Sequence, residues 1–166
     1  GDWSSDVCSS DLKGVQKRLK GHERRDAFLD AAAAIVLEQG VGAVTMEGVA
    51  QRTGVNKALP YRYFADRDAV LGALFDREQA SYAARWATEL PAAATFEAAV
   101  RAALRHWCAR TDEGGALYFK LITDSGRLRE RAREMQEANA RGWASGLQRA
   151  YGLPAHVAYQ YAWFMV

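Results

Sequence analysis

Asn56 and Lys57 are the side chains whose type and place suggest chemistry most directly. They open a short helical pattern and are followed by the small Ala58. Polar and small side chains at the start of such a helix suit hydrogen bonding to base edges, because that end meets them in a major groove. Bond-making chemistry has no comparable candidate. His22, His106 and His156 show no ligand spacing, so no metal site is expected. Serines, histidines and aspartates are present in no catalytic arrangement, so no enzyme activity is assigned and no cofactor is expected. Cys8 and Cys108 lie 100 positions apart in no CxxC pattern. They predict neither a disulfide framework nor a zinc cluster, and the default is a reducing, cytoplasmic setting.

The elements that must position Asn56 and Lys57 are helices. Phe28, Ala31, Ala32 and Ile35 fall on one helical face, which predicts a first helix over about 24–39, closed by Gly40. Thr45 caps a short helix over about 46–52, with Val49 and Ala50 inward. Gly54 suits a sharp turn, since glycine accepts positive φ. Asn56 then caps a third helix over about 57–63. Asp66 caps a fourth, whose buried stripe is Val70, Leu71, Leu74 and Phe75. Beyond Pro91, Thr95 caps a helix with Phe96, Val100, Leu104 and Trp107 on one side. A short apolar helix over about 116–123 follows. A long one over about 127–151 carries Leu128, Ala132, Met135, Trp143, Leu147 and Tyr151 along one side and is closed by Gly152. Pro154 opens a last helix. No stretch alternates with period two, so the fold class is all-α.

Three short helices with a turn between the second and third suggest a helix-turn-helix. Several features together make residues 24–80 resemble the DNA-binding domain of TetR-type transcriptional repressors: the Thr45 cap, the Ala50/Gly54/Val55 turn, the Leu59/Tyr61/Tyr63/Phe64 ending and the Asp-Arg-Asp-Ala run at 66–69. The resemblance implies that Asn56, Lys57 and Ala58 face base edges. It implies that Tyr61 and Tyr63 place hydroxyls against phosphates, that Arg67 pairs with a phosphate, and that Thr45 bonds one at a helix N-terminus. Arg62 is a further candidate phosphate contact. Tyr61 and Tyr63 also suit ordinary packing. Two positions depart from the family. Gly48 stands where an acidic residue is usual, and Pro60 where an aliphatic one is common. Pro60 is expected to forfeit at most one backbone bond and to disfavour helical geometry at Leu59.

The family also implies a double-stranded DNA operator, a small-molecule effector that releases repression, and a homodimer formed through the last two helices. The expected architecture is therefore an N-terminal helix-turn-helix unit (24–80) joined to a partial helical ligand-binding and dimerisation domain (81–166). Trp107, Cys108, Tyr118, Phe119 and Trp143 are candidates to line an effector cavity, although residues at such helical spacing are more often plain core. The competing function is a helical small-molecule-binding or interaction module without functional DNA binding.

Composition bounds the rest. The chain has 166 residues, 49% of them apolar and 25% charged, as in a folded protein, and no apolar run long enough for a membrane span. No secretory leader is expected. Residues 1–12 hold three aspartates and no lysine or arginine, and read as a non-native or disordered tail. The uncapped apolar ending at 163–166 reads as a fragment cut inside a helix. The total charge of +2 conceals an asymmetry. Residues 13–25 carry six basic side chains against Glu23, whereas residues 26–166 hold sixteen of each sign. All the net positive charge of the chain beyond residue 12 thus precedes the helix-turn-helix, as in a solvated tail or an arm tracking phosphates.

Overall fold

A computed structural model describes residues 21–89, 95–112 and 115–165. The tail 1–12, residues 13–20 of the basic arm and Pro91 lie outside them. The described residues form seven α-helices and no strand: α1 (Gly21–Gln39), α2 (Met46–Arg52), α3 (Arg67–Glu89), α4 (Phe96–Asp112), α5 (Gly115–Asp124), α6 (Gly126–Tyr151) and α7 (Ala155–Ala162). Short 3-10 turns stand at Val41–Ala43, Pro60–Arg62 and Trp163–Met165.

The expected caps are in place. Thr45 Oγ1 accepts from the Gly48 N–H at 2.9 Å, and Asp66 Oδ1 from the Ala69 N–H at 2.7 Å. Thr95 does the same for α4, and Ser125, not expected as a cap from the sequence, does so for α6. Gly152 ends α6 at φ +65°, the left-handed conformation that glycine adopts without a Cβ clash. Each such bond satisfies a backbone group that a helix end leaves without an intrahelical partner.

Two buried clusters organise the packing. The larger joins Phe28, Leu29, Ile35 and Val36 of α1, Val49 of α2, Phe64, and Val70, Leu71, Leu74 and Phe75 of α3. It continues into Leu117, Tyr118 and Leu121 of α5 and Leu128 and Ala132 of α6. The core under the helix-turn-helix is therefore completed by helices more than 35 residues downstream. The second cluster joins Ala140, Ala144 and Leu147 of α6 to Ala158 and Ala162 of α7, with Phe96 and Trp143 packed on it. At 26 residues, α6 is about 39 Å long and ends in both cores. Met135, midway between them, is 39% exposed although it shares the predicted stripe. Leu104 of α4, expected inward with Phe96, is 59% exposed. Helical periodicity marks a face, and only the neighbouring helices decide how much of it is covered.

The clearest departure from expectation is the third helix. The segment after the turn is not an α-helix over 57–63 but a capped turn leading into the 3-10 turn Pro60–Arg62. The cause is Pro60. In an α-helix capped at Asn56, residue 60 would donate to the Asn56 carbonyl, and proline has no N–H. The Leu59 N–H takes that carbonyl instead, at 2.9 Å. Arg62 then donates to Leu59, and Tyr63 to Pro60, in the same short pattern. Leu59 nevertheless sits at φ −70°, ψ −42°, so the expected loss of helical geometry there does not occur. The segment still coils in the right-handed sense, more tightly.

Candidate nucleic-acid interface

The site is built outward from α2. Met46, Val49 and Ala50 bury its inner face. At its far end, Thr53 Oγ1 donates to the Val49 carbonyl at 2.8 Å, and the Val55 N–H donates to the Ala50 carbonyl at 3.0 Å. Gly54 lies between them at φ +67°, where a residue with a Cβ is strained. This turn delivers Asn56 at a fixed angle to α2. Asn56 Oδ1 accepts from the Ala58 N–H at 2.9 Å, leaving the amide's two N–H donors free.

Asn56, Lys57, Ala58, Tyr61 and Arg62 are all exposed and lie within seven consecutive residues. Pro60, fully buried, and half-buried Leu59 pin the strip from beneath. Tyr63 differs: it is half-buried, its ring edge-on to Phe28 with centroids 5.4 Å apart. Thr45 is exposed. Its hydroxyl oxygen is occupied by the Gly48 N–H, but its proton can still be donated outward.

Arg67 is turned inward. Its Nε donates to the Val44 carbonyl at 2.9 Å and its Nη2 to the Val41 carbonyl at 2.7 Å. Its Nη1 lies 3.4 Å from Asp68 Oδ1. Nothing local to Arg67 signals this, because the acceptors are backbone atoms 23 and 26 residues earlier.

The candidate effector residues fall in different places. Tyr118 is buried in the larger cluster, stacked on Phe75 with centroids 5.9 Å apart, and Phe119 packs edge-on to it. Trp143 belongs to the second cluster, edge-on to Phe96. Cys108 is exposed, and the Trp107 side chain lies outside the described residues. Of these, Cys108, Tyr118, Phe119 and Trp143 do not line the groove of about 360 Å³ between α3 and the start of α6. Its walls carry Asp68 and Asp76 from α3 and Arg127 and Arg131 from α6. Sequence reasoning missed these pairs. The available signal was two arginines one helical turn apart and two aspartates two turns apart.

Among the described residues, seven helices, a glycine-turned α2 and an exposed polar strip after it define an all-α chain with a helix-turn-helix unit. Residues 28–74 match the family model described as bacterial regulatory proteins, tetR family. A 48-residue stretch is 42% identical to the HTH-type transcriptional regulator BetI of Rhizobium meliloti (strain 1021). That match covers 29% of this chain and about a quarter (24%) of BetI. Over most of its length the chain is similar to solved regulators. The flavonoid-responsive regulator FrrA is 27% identical at a TM-score of 0.61, over 85% of this chain and 78% of FrrA. FadR of Bacillus subtilis, solved with stearoyl-CoA, is 19% identical at 0.67, over 84% and 81%. Among the described residues no helix is long and apolar enough to cross a membrane, and no group of acidic, histidine or cysteine side chains could hold a metal ion.

Proposed function

We propose that this chain is a sequence-specific DNA-binding transcriptional regulator, a repressor released by a small-molecule effector. The observation that carries the reading is the exposed strip 56–62, set by the Gly54 turn inside the segment that matches the TetR family. In this reading Asn56, Lys57 and Ala58 meet base edges. Thr45, Tyr61, Arg62 and the hydroxyl of Tyr63 donate to phosphates, and the basic run ahead of α1 adds attraction that salt screens.

Release follows from two states with different spacing of the recognition strips in a homodimer, which must match about one DNA turn, roughly 34–36 Å. An effector binding among the C-terminal helices would shift α3, and α3 would carry the strip with it. The solved relatives described by ligand, FrrA by flavonoids and FadR by stearoyl-CoA, support an effector of organic character.

The test is a gel shift on a duplex that the chain selects from a random-sequence pool. Lys57→Ala combined with Tyr63→Phe keeps the Tyr63 ring on Phe28 and is expected to weaken the shift. Indifference to the pair would sink the contact assignment. Small-molecule binding with no duplex shift would instead support a binding module without DNA recognition.

A further inference from the structure

Within the DNA-binding reading just given, the geometry assigns Arg67 a positioning role: we propose that it holds Thr45 and α2 in register with α3, and does not itself contact phosphate. The guanidinium fork spans both ends of the connection between α1 and α2. Val41 and Val44, whose carbonyls it holds, are 2% and 1% exposed; the Val41 carbonyl also accepts the Val44 N–H at 3.2 Å, whereas the Val44 carbonyl takes its hydrogen bond from Arg67. Val44 is joined directly to Thr45, the cap of α2. Arg67 is the first residue of α3. One side chain therefore ties the start of α3 to the residue that precedes the α2 cap. Hydrogen bonds from a charged donor are about twice as strong as neutral ones. Withdrawing the fork to reach a phosphate would take from the Val44 carbonyl its donor, and leave the Val41 carbonyl with the Val44 N–H alone.

On its other side Arg67 meets Asp68, whose second carboxylate oxygen lies 4.0 Å from Arg127 of α6.

The experiment measures affinity for a duplex selected by the wild-type chain, over a series of salt concentrations, for Arg67→Met and Arg67→Lys. A positioning role predicts that Met weakens binding about tenfold while leaving the slope of log affinity against log salt at the wild-type value. Lys is expected to be as weak as Met, since an ammonium lacks the fork that reaches two carbonyls. A slope reduced by about 0.9, the share of one phosphate, or full rescue by Lys would overturn the proposal in favour of direct contact. Unchanged affinity in both variants would overturn it as well.

Amide hydrogen exchange supplies an arm without DNA. Residues 41–49 are expected to exchange faster in Arg67→Met, or in Arg67→Lys if Met does not fold. Unaltered exchange would sink the proposal. Failure of the wild-type chain to bind any duplex would count against the proposed function, and the strut would then stand or fall on exchange alone.

Discussion

Arg131 of α6 reaches Asp76 of α3 at 2.5 Å while its guanidinium carbon lies 5.1 Å from the centre of the Phe75 ring. One side chain thus bridges the helix that follows the recognition strip and the helix that enters both cores. The pair is partly exposed, at 42% and 61%, so its ionic part contributes no more than about 1 kcal/mol. The ring contact adds about 0.5–1 kcal/mol. Arg131→Ala should lower stability by about 1–2 kcal/mol in urea unfolding. Part of the difference should vanish at high salt. A loss independent of salt would assign the whole effect to packing on Phe75.

Gly146 and Gly142 sit one turn apart on α6 and should respond oppositely to alanine. A Cβ at Gly146 would lie 2.8 Å from Cε2 of Phe96, whose ring is already held edge-on to Trp143 and Tyr151. Overpacking of this kind costs about 1–3 kcal/mol, against roughly 1 kcal/mol of helix propensity gained. Gly146→Ala should therefore destabilise. Nothing lies within 4 Å of a Cβ at Gly142, so Gly142→Ala should stabilise by up to about 1 kcal/mol. Denaturant midpoints of the two variants check the contrast.

The Tyr151 hydroxyl on α6 donates to Glu97 on α4. That hydrogen bond holds the Glu97 carboxyl below its ordinary 4.5 and raises the Tyr151 hydroxyl above its ordinary 10.0. The two signs bracket a window. The Glu97 contribution is complete above the ordinary carboxylate range and is lost as pH falls through its lowered pKa. The Tyr151 contribution is complete below 10.0 and is lost as pH rises through its raised pKa. Tyr151→Phe should melt slightly below the wild-type chain at neutral pH. The two should converge in strong acid and strong alkali. A constant offset at every pH would show that the hydroxyl acts through packing.

Thr45→Ala should cost about 1 kcal/mol by removing the acceptor for the Gly48 N–H, and Thr45→Ser should restore it. Thermal melting reads this directly. If Ser fails to restore stability, the methyl group rather than the cap is what α2 needs.

Much of the fold was written locally in the chain. Phe28, Ala31, Ala32 and Ile35 repeat at helical spacing and are all buried. Thr45, Asn56, Asp66, Thr95 and Ser125 cap where they stand, and Gly54 and Gly152 turn with positive φ. These outcomes depend on residues a few positions apart, so sequence alone determines them. Pro60 was legible as a fault in the third helix. That the chain keeps its coil there through three-residue hydrogen bonds, with Pro60 buried beneath, is visible only in the structure. In sequence, the family resemblance makes Arg67 a phosphate contact at the start of the fourth helix. Only the tertiary structure brings its fork onto two carbonyls more than twenty residues away, because long-range packing alone decides which backbone oxygens lie within reach. The same holds for Arg131 on Asp76 and for Gly146 beneath Phe96. Local rules place the helices, and the approach of one helix to another decides which side chains become partners.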